Sequence, residues 1–393
     1  MSLRERRILL ALLGALAFAA VYATVVIAPV LTQIAAEFDV STGTAGLLVA
    51  AYGAPGIIVS LAVGPYSDRF GRTRFLVAGA ACMGLFTLLA SLATSFAMLV
   101  VLRVIAGIGA ALIFPNLNAI IGDSFPYRDR GRAMSTVIGF NTMASVIGVP
   151  TAGIVAEATS WRLSLVIVGA LCLGAAALLY FVLRPVRARA PEGRFFELYR
   201  SILRNPSAMA AVVSSFLGTL YWFAWSTYIV VFFESTYGLT RGTASTFALT
   251  LGAGVLVGSQ IGGRLGDRVG HKPIVASAIV ASGAILFLLT HTSLPLAGGA
   301  GLNLLLSTVI GARFTANQTL ISEQVPAARG TLLALMSSAI GVAIVLSATI
   351  GGLLIDTSGF AAVGTFCFVA ALASAVIVVA WVREDRMVEI LPV

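Results

Sequence analysis

The sequence predicts an all-α polytopic membrane protein with twelve transmembrane helices arranged as two pseudo-symmetric six-helix bundles. Three observations support this prediction: the composition, a series of long apolar runs, and an internal repeat at a constant spacing. Of the 393 residues, 59% are hydrophobic and only 10% are charged, and the mean hydropathy is +1.00. A water-soluble surface cannot be made from this composition, so the chain must span a membrane several times.

The apolar runs define the spans. Each run is long enough to cross a hydrocarbon core of about 30 Å as a helix. The predicted spans cover residues 8–32, 43–63, 75–94, 96–121, 133–156, 163–183, 207–232, 243–263, 274–291, 296–321, 330–355 and 361–382. The first run is too long for the apolar region of a signal peptide, and no small-residue cleavage site follows a short core, so we interpret it as the first span.

The basic residues predict the orientation of the chain. An even number of spans places both termini on one side, and 21 of the 25 Lys and Arg residues then fall on that side. Only Arg162 and Arg241 fall on the opposite side. This bias predicts cytoplasmic termini and a location in the inner membrane. The net charge of +9 therefore reports orientation rather than nucleic-acid binding.

A repeat at an offset of 199 residues relates the two halves. Matching residues include Gly43-Thr44-Ala45 with Gly242-Thr243-Ala244, Asp68-Arg69 with Asp267-Arg268, Asn118 with Asn317, and Glu157 with Asp356. Helix packing explains scattered glycines but not charged pairs in one register. We predict an N-terminal bundle over residues 1–183, a cytoplasmic linker over 184–206 and a C-terminal bundle over 207–393. Two parallel repeats suit alternating access around a central substrate site.

The clearest motif, GPYSDRFGRTR at residues 64–74, falls in the predicted short cytoplasmic turn between spans two and three, and residues 263–272 repeat it. Glycines suit a tight turn, an aspartate can face a positive helix N-terminus, and arginines can pair with carboxylates at neighbouring helix ends. We predict a gate that latches the cytoplasmic face; the alternative is a basic turn that caps two helices. The predicted gate residues are Gly64, Asp68, Arg69, Gly71, Arg72, Asp123, Asp267 and Arg268.

Together with this motif, two further segments resemble the major facilitator superfamily, and within it the twelve-helix drug:proton antiporter branch. Residues 103–111, RVIAGIGAA, are similar to the Arg-x-x-x-Gly-x-Gly-Ala stretch of span four. Residues 148–153, GVPTAG, resemble the exporter motif of span five, although the commonest form of that motif has adjacent Gly and Pro. The resemblance implies the major facilitator fold, proton coupling through Arg103, and a role for Gly148, Pro150 and Gly153 in the interconversion of states.

Two arginines, Arg103 and Arg313, are the only ionisable residues well inside the predicted spans. Such residues are costly in hydrocarbon and usually face a cavity. For Arg313, about eight residues from the end of span ten, the side chain could instead extend to the interface. Because neither arginine has a carboxylate nearby in the sequence, both could also bind an anionic substrate. The charge of the substrate therefore remains open.

Proton coupling requires an acid that can exchange its proton, and arginine keeps its own at physiological pH. The coupling acid must therefore lie at a membrane edge. The symmetric pair Glu157 and Asp356 is the leading choice, because opening of the periplasmic side would expose both alternately to solvent and to the cavity. The other candidates are Glu37, Asp39, Asp123 and Glu234.

An aromatic stripe on span seven is the candidate substrate surface. Tyr221, Trp225, Tyr228 and Phe232 recur at helical spacing with Trp222 beside them, and their polar tips predict partial wetting. The alternative is packing against lipid or another helix. Polar groups that could line the same cavity are Tyr22, Tyr52, Asn116, Asn118, Asn141, Gln260 and Asn317.

Other classes of protein fit less well. An enzyme would need clustered acids or bases, a receptor would carry a soluble domain, and no Gly-rich nucleotide-binding loop is present. The three cysteines lie in apolar runs and form no metal motif. We therefore expect a proton-coupled exporter of small amphipathic or drug-like molecules, with no metal, cofactor or nucleic acid, surrounded by membrane lipids and monomeric. The alternatives within transporters are uptake or exchange of an organic anion, and lipid translocation.

Overall fold

The computed structural model describes residues 3–125, 127–182, 200, 202–325 and 329–384, and all regular structure in these ranges is helical. Helices α1 to α8 are Leu3–Val25, Leu31–Glu37, Thr42–Phe70, Arg72–Ala90, Phe96–Ala111, Ile113–Ser124, Tyr127–Ala158 and Trp161–Val182. Helices α9 to α14 are Pro206–Tyr237, Arg241–Thr246, Ala248–Val269, His271–His291, Leu296–Gln324 and Arg329–Trp381. Most of the predicted linker lies outside the described residues.

The helices account for the twelve predicted spans. Span one consists of α1, the 3₁₀ turn Ala28–Val30 and α2, while α5 with α6 forms span four and α10 with α11 forms span eight. Helix α14 has 53 residues, about 80 Å at 1.5 Å per residue, which is more than twice the hydrocarbon thickness. Gly359, with φ 74° and ψ −172°, breaks it into spans eleven and twelve. The all-helical twelve-span prediction is confirmed.

The repeated motif is more helical than its sequence suggests. Helix α3 continues to Phe70 and α4 begins at Arg72, so Gly71 alone forms the connection, with φ 105°. Gly270, with φ 98°, makes the same connection between α11 and α12. The expectation that residues 64–74 form a turn is therefore wrong, because the helix continues until a glycine can adopt a positive φ.

Two compact units divide the described chain. The first contains Met1–Glu192, Phe223–Gly252 and Ile344–Phe360, and the second contains Gly193–Trp222, Ala253–Ala343 and Ala361–Val393. This division separates parts of spans seven, eight and eleven from the rest of the C-terminal half. The predicted bundles, 1–183 and 207–393, therefore stay a prediction based on the repeat.

Small residues allow close helix contacts in each unit. In the first unit, a Cβ atom at Gly79 of α4 would lie 2.7 Å from the carbonyl oxygen of Gly109 of α5. In the second unit, a Cβ atom at Gly258 of α11 would overlap the carbonyl of Thr308 of α13. Such contacts stabilise membrane helices through van der Waals packing rather than through a hydrophobic gain.

Candidate functional site

Two hydrogen-bonded carboxylates lie in the first unit on the side of the membrane opposite the termini, which we call the far side. Glu157, at the end of α7, accepts a hydrogen bond from the backbone N–H of Gly242, in the first turn of α10. The N-cap residue of α10, Thr240, accepts from the N–H of Thr243 at 3.5 Å. A carboxylate at this position is favourable because the helix N-terminus carries unpaired N–H groups and a positive partial charge. We call this contact the first lock.

The second lock repeats the first. Asp356 of α14 accepts from the backbone N–H of Gly43 at 3.0 Å through Oδ1, and from the hydroxyl of Ser41, the N-cap residue of α3, at 2.5 Å through Oδ2. Gly43 and Asp356 are the repeat counterparts of Gly242 and Glu157. Each carboxylate therefore caps a helix that belongs to the other half of the sequence.

Close approach accounts for the repeated glycine at both locks. A Cβ atom at Gly43 would overlap the backbone carbonyl of Gly352, and one at Gly242 would lie 2.6 Å from Oε2 of Glu157, so that the carboxylate would have to move. Contact geometry therefore explains the glycine of the Gly-Thr-Ala repeat. The N-cap residues Ser41 and Thr240 were not predicted as site residues, although a Ser or Thr just before a helical run is a recognisable capping signal.

A third far-side cluster joins spans one, seven and eight within the first unit. Glu234 accepts from the hydroxyl of Thr32 at 3.0 Å and pairs with Nε of Arg241 at 3.3 Å. Nη2 of Arg241 also donates to Thr32 Oγ1 at 2.9 Å. The side chain of Glu234 is 15% exposed, so this ion pair is shielded more than a surface pair. We call it the clamp. The sequence analysis identified Glu234 as a candidate acid but did not identify Thr32 and Arg241 as its partners.

The predicted exporter motif lies beside the first lock. Pro150, inside α7, accepts a hydrogen bond at its carbonyl from Ser245 Oγ of α10 at 3.4 Å, and a Cβ atom at Gly153 would overlap that hydroxyl. A Cβ atom at Gly148 would lie 2.8 Å from the ring of Tyr22, whose hydroxyl is 2.7 Å from Thr151 Oγ1. The motif thus allows α7 to contact both α10 and α1.

Arg103 is fully buried in the first unit. Its guanidinium carbon lies 4.1 Å from the ring centroid of Tyr52, and Nη1 donates to the carbonyl of Ala23 at 3.2 Å. Nε and Nη2 have no hydrogen-bond partner among the described residues. One turn later, a Cβ atom at Gly107 would overlap the carbonyl of Tyr52. Arg103 therefore links spans one, two and four, and in this structure it is enclosed rather than open to a cavity.

Arg313 is buried in the second unit. It lies eleven residues before the end of α13 at Gln324, about 16 Å along the helix, and it is 2% exposed. Its guanidinium carbon lies 5.5 Å from the ring of Tyr221 and 4.9 Å from that of Phe314. The alternative that this side chain extends to the membrane interface is wrong, because α13 continues beyond the predicted span and the aromatic rings hold the guanidinium inside.

The aromatic stripe of span seven is buried rather than wet. Tyr221, Trp225 and Tyr228 are fully buried, and Trp222 is nearly so. The hydroxyl of Tyr228 donates to the carbonyl of Ala348 at 2.7 Å, and that of Tyr221 lies 2.8 Å from Ser282 Oγ. The expected partial wetting is therefore wrong for these residues, because they are buried where helices meet and the hydroxyls of both tyrosines contact protein atoms.

The candidate amides do not share one environment. Asn317 is buried and donates to Ser215 Oγ at 3.0 Å, whereas its repeat counterpart Asn118 is exposed. Asn116 donates to the carbonyl of Leu112 one turn earlier, at 2.7 Å. Oδ1 of Asn141 is buried without a hydrogen-bond partner in the described part of the chain. The repeat register therefore does not specify the surroundings of a side chain.

The first copy of the turn motif forms an ion pair. Nη1 of Arg72 lies 2.6 Å from Oδ2 of Asp123 and donates to the carbonyl of Ala119 at 3.3 Å. The guanidinium carbon of Arg69 is 5.4 Å from the ring of Phe70. Gly64 is helical, and the side chain of Asp68 lies outside the described residues. The arrangement ties the start of α4 to the end of α6.

The second copy uses different partners. His271, the repeat counterpart of Arg72, lies 3.7 Å from Asp267, whose side chain is 77% exposed. The backbone N–H groups of His271 and Lys272 donate to the carboxylate of Glu384 at 2.5 and 3.0 Å. Arg268 is exposed. No motif pointed to Glu384, which follows the last described helix.

Comparison with known proteins agrees with this fold. The family model described as Major Facilitator Superfamily matches residues 10–312 and 250–391. The chain is 26% identical to the uncharacterized MFS-type transporter YceJ of Bacillus subtilis, covering 87% of this chain and 88% of that protein. It is 24% identical to Multidrug resistance protein 2 of Bacillus subtilis, covering 74% and 75% of the two chains.

A solved structure gives the same fold. The crystal structure of a bacterial homolog to the human lysosomal transporter Spinster, inward-facing and unoccupied, superposes with a TM-score of 0.75 at 17% identity and covers 96% of each chain. At this identity the likeness concerns the fold. Because the family model covers nearly the whole chain and the fold agrees, this protein belongs to the major facilitator superfamily of membrane transporters, which are carriers rather than enzymes.

Proposed function

We propose that the chain is a secondary active transporter that exports small amphipathic or drug-like organic molecules by alternating access, with protons as the coupling ion. The observation that carries the proposal is the pair of locks, Glu157 on Gly242 and Asp356 on Gly43. Both are contacts between helices from opposite halves of the sequence. Alternating access requires such contacts to form in one state and break in the other.

The chemistry of the locks couples them to protons. A helix N-terminus favours an ionised carboxylate and gains little from a neutral one. In this proposal, proton binding to Glu157 or Asp356 removes the charge that the helix N-terminus favours and so releases the lock, and a lock can form again only after its proton has left. Transport is coupled to protons if that proton leaves on the side of the membrane that holds the termini.

Export is supported by the position of the Gly148–Gly153 segment. Its carbonyl at Pro150 and its glycine at 153 contact Ser245, so a change in α7 acts directly on the helix that the first lock caps. A relative described as a multidrug resistance protein agrees with this direction. The basic-residue bias supports cytoplasmic termini in the inner membrane, with the Asp68 turn motif as the gate of that face.

The test is substrate-evoked proton flux in proteoliposomes. Proteoliposomes that contain wild-type protein, under an imposed pH gradient, are expected to exchange protons for a fluorescent amphipathic dye, tested once with the cation ethidium and once with an anionic naphthalene sulfonate. Glu157→Gln combined with Asp356→Asn should reduce the flux more than it reduces dye binding. Glu323→Gln is the control, because Glu323 is an exposed acid in α13 to which the proposal gives no role.

Two outcomes would contradict the proposal. Absence of proton flux with wild-type protein would indicate a uniporter or another coupling ion. Undiminished flux in the double variant would move the coupling acid to Glu234, Asp123, or the pair Glu37 and Asp39.

A further inference from the structure

A polar strip crosses the contact between α9 and α13 in the second unit. On α13, Arg313 and Asn317 are one turn apart. On α9, Ser215 accepts from Asn317 at 3.0 Å, and Gly218 lies against the guanidinium, so that a Cβ atom there would overlap Nη1 of Arg313. Gly218 thus leaves room on α9 for a charged group deep within the span.

No carboxylate of the described residues pairs with this charge. Among the described residues Arg313 forms no ion pair, and its Nε has no hydrogen-bond partner. Arg72, Arg162 and Arg241, near the ends of helices, are each paired with a carboxylate within 3.3 Å. The difference matters because a buried cation is far more costly than an exposed one when it lacks a counter-charge.

Aromatic rings surround the same group. Tyr221 and Phe314 lie over the guanidinium, and Trp222 meets Phe314 edge to face with ring centroids 6.4 Å apart. Rings compensate a buried cation in part, but they do not satisfy its N–H donors. They also form the apolar surface on which the body of an organic ligand packs.

A guanidinium presents parallel N–H donors that match two oxygens of a carboxylate, sulfonate or phosphate. We infer that Arg313 is the anchor of an oxyanion subsite in the C-terminal half, which binds the anionic head group of an amphipathic organic substrate while Trp222 and Phe314 contact its apolar part. This inference rests on the proposed transport function and specifies its substrate class. Entry of the ligand requires the ring of Tyr221 or Phe314 to rotate away from the guanidinium.

The experiment measures binding to the purified full chain in nanodiscs of zwitterionic lipid by isothermal titration calorimetry. Three probes share one apolar body and differ in charge: naphthalene-2-sulfonate, 2-naphthalenemethanol and 2-naphthylmethylammonium. Wild-type protein should bind the sulfonate at least about tenfold more tightly than either other probe. Arg313→Gln should reduce sulfonate affinity at least about tenfold and change affinity for the alcohol by less than about twofold.

Two variants serve as controls. Arg204→Gln removes the same charge from an exposed position in the same unit and should leave all three affinities unchanged. Arg313→Lys keeps the charge but not the planar donors, so it should recover only part of the sulfonate affinity. If the Arg313 variants do not fold, the ranking of the three probes with wild-type protein decides the question.

Equal affinity for the three probes, or sulfonate binding that survives Arg313→Gln, would overturn the inference and leave Arg313 as a cation that ties α9 to α13. A second set of nanodiscs containing anionic phosphatidylglycerol distinguishes the source of the oxyanion. Unchanged sulfonate binding there supports a free substrate, and competition supports a lipid head group at the same site. The measurement needs no proton gradient, so absence of proton coupling and absence of this subsite are separate results.

Discussion

The two copies of the repeat are alike at the far-side ends of their helices and differ at the ends that carry the turn motif. On the far side, Glu157 and Asp356 make the same contact, each with the backbone N–H of the repeat glycine. At the turn motif, both copies keep a glycine with positive φ, at Gly71 and Gly270, but the next residue has changed from arginine to histidine.

The difference reflects how each contact is specified. The turn is determined by backbone conformation, which glycine alone supplies, so the side chains around it can change partners. Arg72 pairs with Asp123, whereas the second turn is capped by Glu384. A lock needs a carboxylate on one helix and an unobstructed N–H on another, so both partners must persist together. The locks are therefore expected to be equivalent, and the turns are not.

The largest expected effect tests whether the two turns contribute unequally to transport. Asp68→Asn should nearly abolish dye efflux, because the first turn carries the predicted gate. Asp267→Asn should retain most of the activity, because Asp267 is largely exposed and its contact with His271 at 3.7 Å is a surface pair. The measurement is dye efflux from cells, normalised to the amount of folded protein in the membrane. Normal efflux by Asp68→Asn would remove the gate assignment.

The next prediction tests the equivalence of the locks. Ser245 is fully buried beside the first lock, so Ser245→Cys, with the native cysteines replaced, reports far-side opening by its labelling with a membrane-impermeant maleimide. Loss of charge weakens a hydrogen bond to a carboxylate by about 1 kcal/mol, or about fivefold in population. Glu157→Gln and Asp356→Asn should each raise the labelling rate about fivefold.

Together the two changes should raise the labelling rate about 25-fold if the locks act independently. Glu323→Gln should leave the rate unchanged. A large effect from one lock and none from the other would show that the two contacts share a geometry but that only one of them holds the far side closed.

The smallest effect tests the statement that the turns are specified by their backbone. Gly71→Ala and Gly270→Ala should each destabilise the protein by about 1 kcal/mol, because alanine is disfavoured at positive φ. Gly270→Ala should be the more costly, since its Cβ would lie 3.0 Å from Glu384, whereas that of Gly71 meets nothing closer than 4.0 Å. Thermal unfolding in detergent measures both, and an unchanged melting temperature for either would show that the positive φ is not required.

Much of the fold could be predicted from the sequence, because the relevant signals are local. Long apolar runs identify the spans, and a count of the basic residues predicts which side of the membrane holds the termini. The pairing of Arg72 with Asp123 was anticipated from the motif, since both residues lie at helix ends on one predicted face. The length of α3 was not, because a glycine-rich segment does not reveal which glycine ends the helix.

The helical membrane fold, the repeat, and the residues that are unusual for their surroundings can all be recognised in the amino-acid sequence. What those residues contact depends on the packing of the helices. Glu157 and Gly242 are 85 positions apart, and their contact depends on how α7 and α10 pack. The burial of Tyr228 and the aromatic enclosure of Arg313 depend on neighbouring helices in the same way. The physical reason is that hydropathy and periodicity act within one helix, whereas partners are chosen by packing between helices.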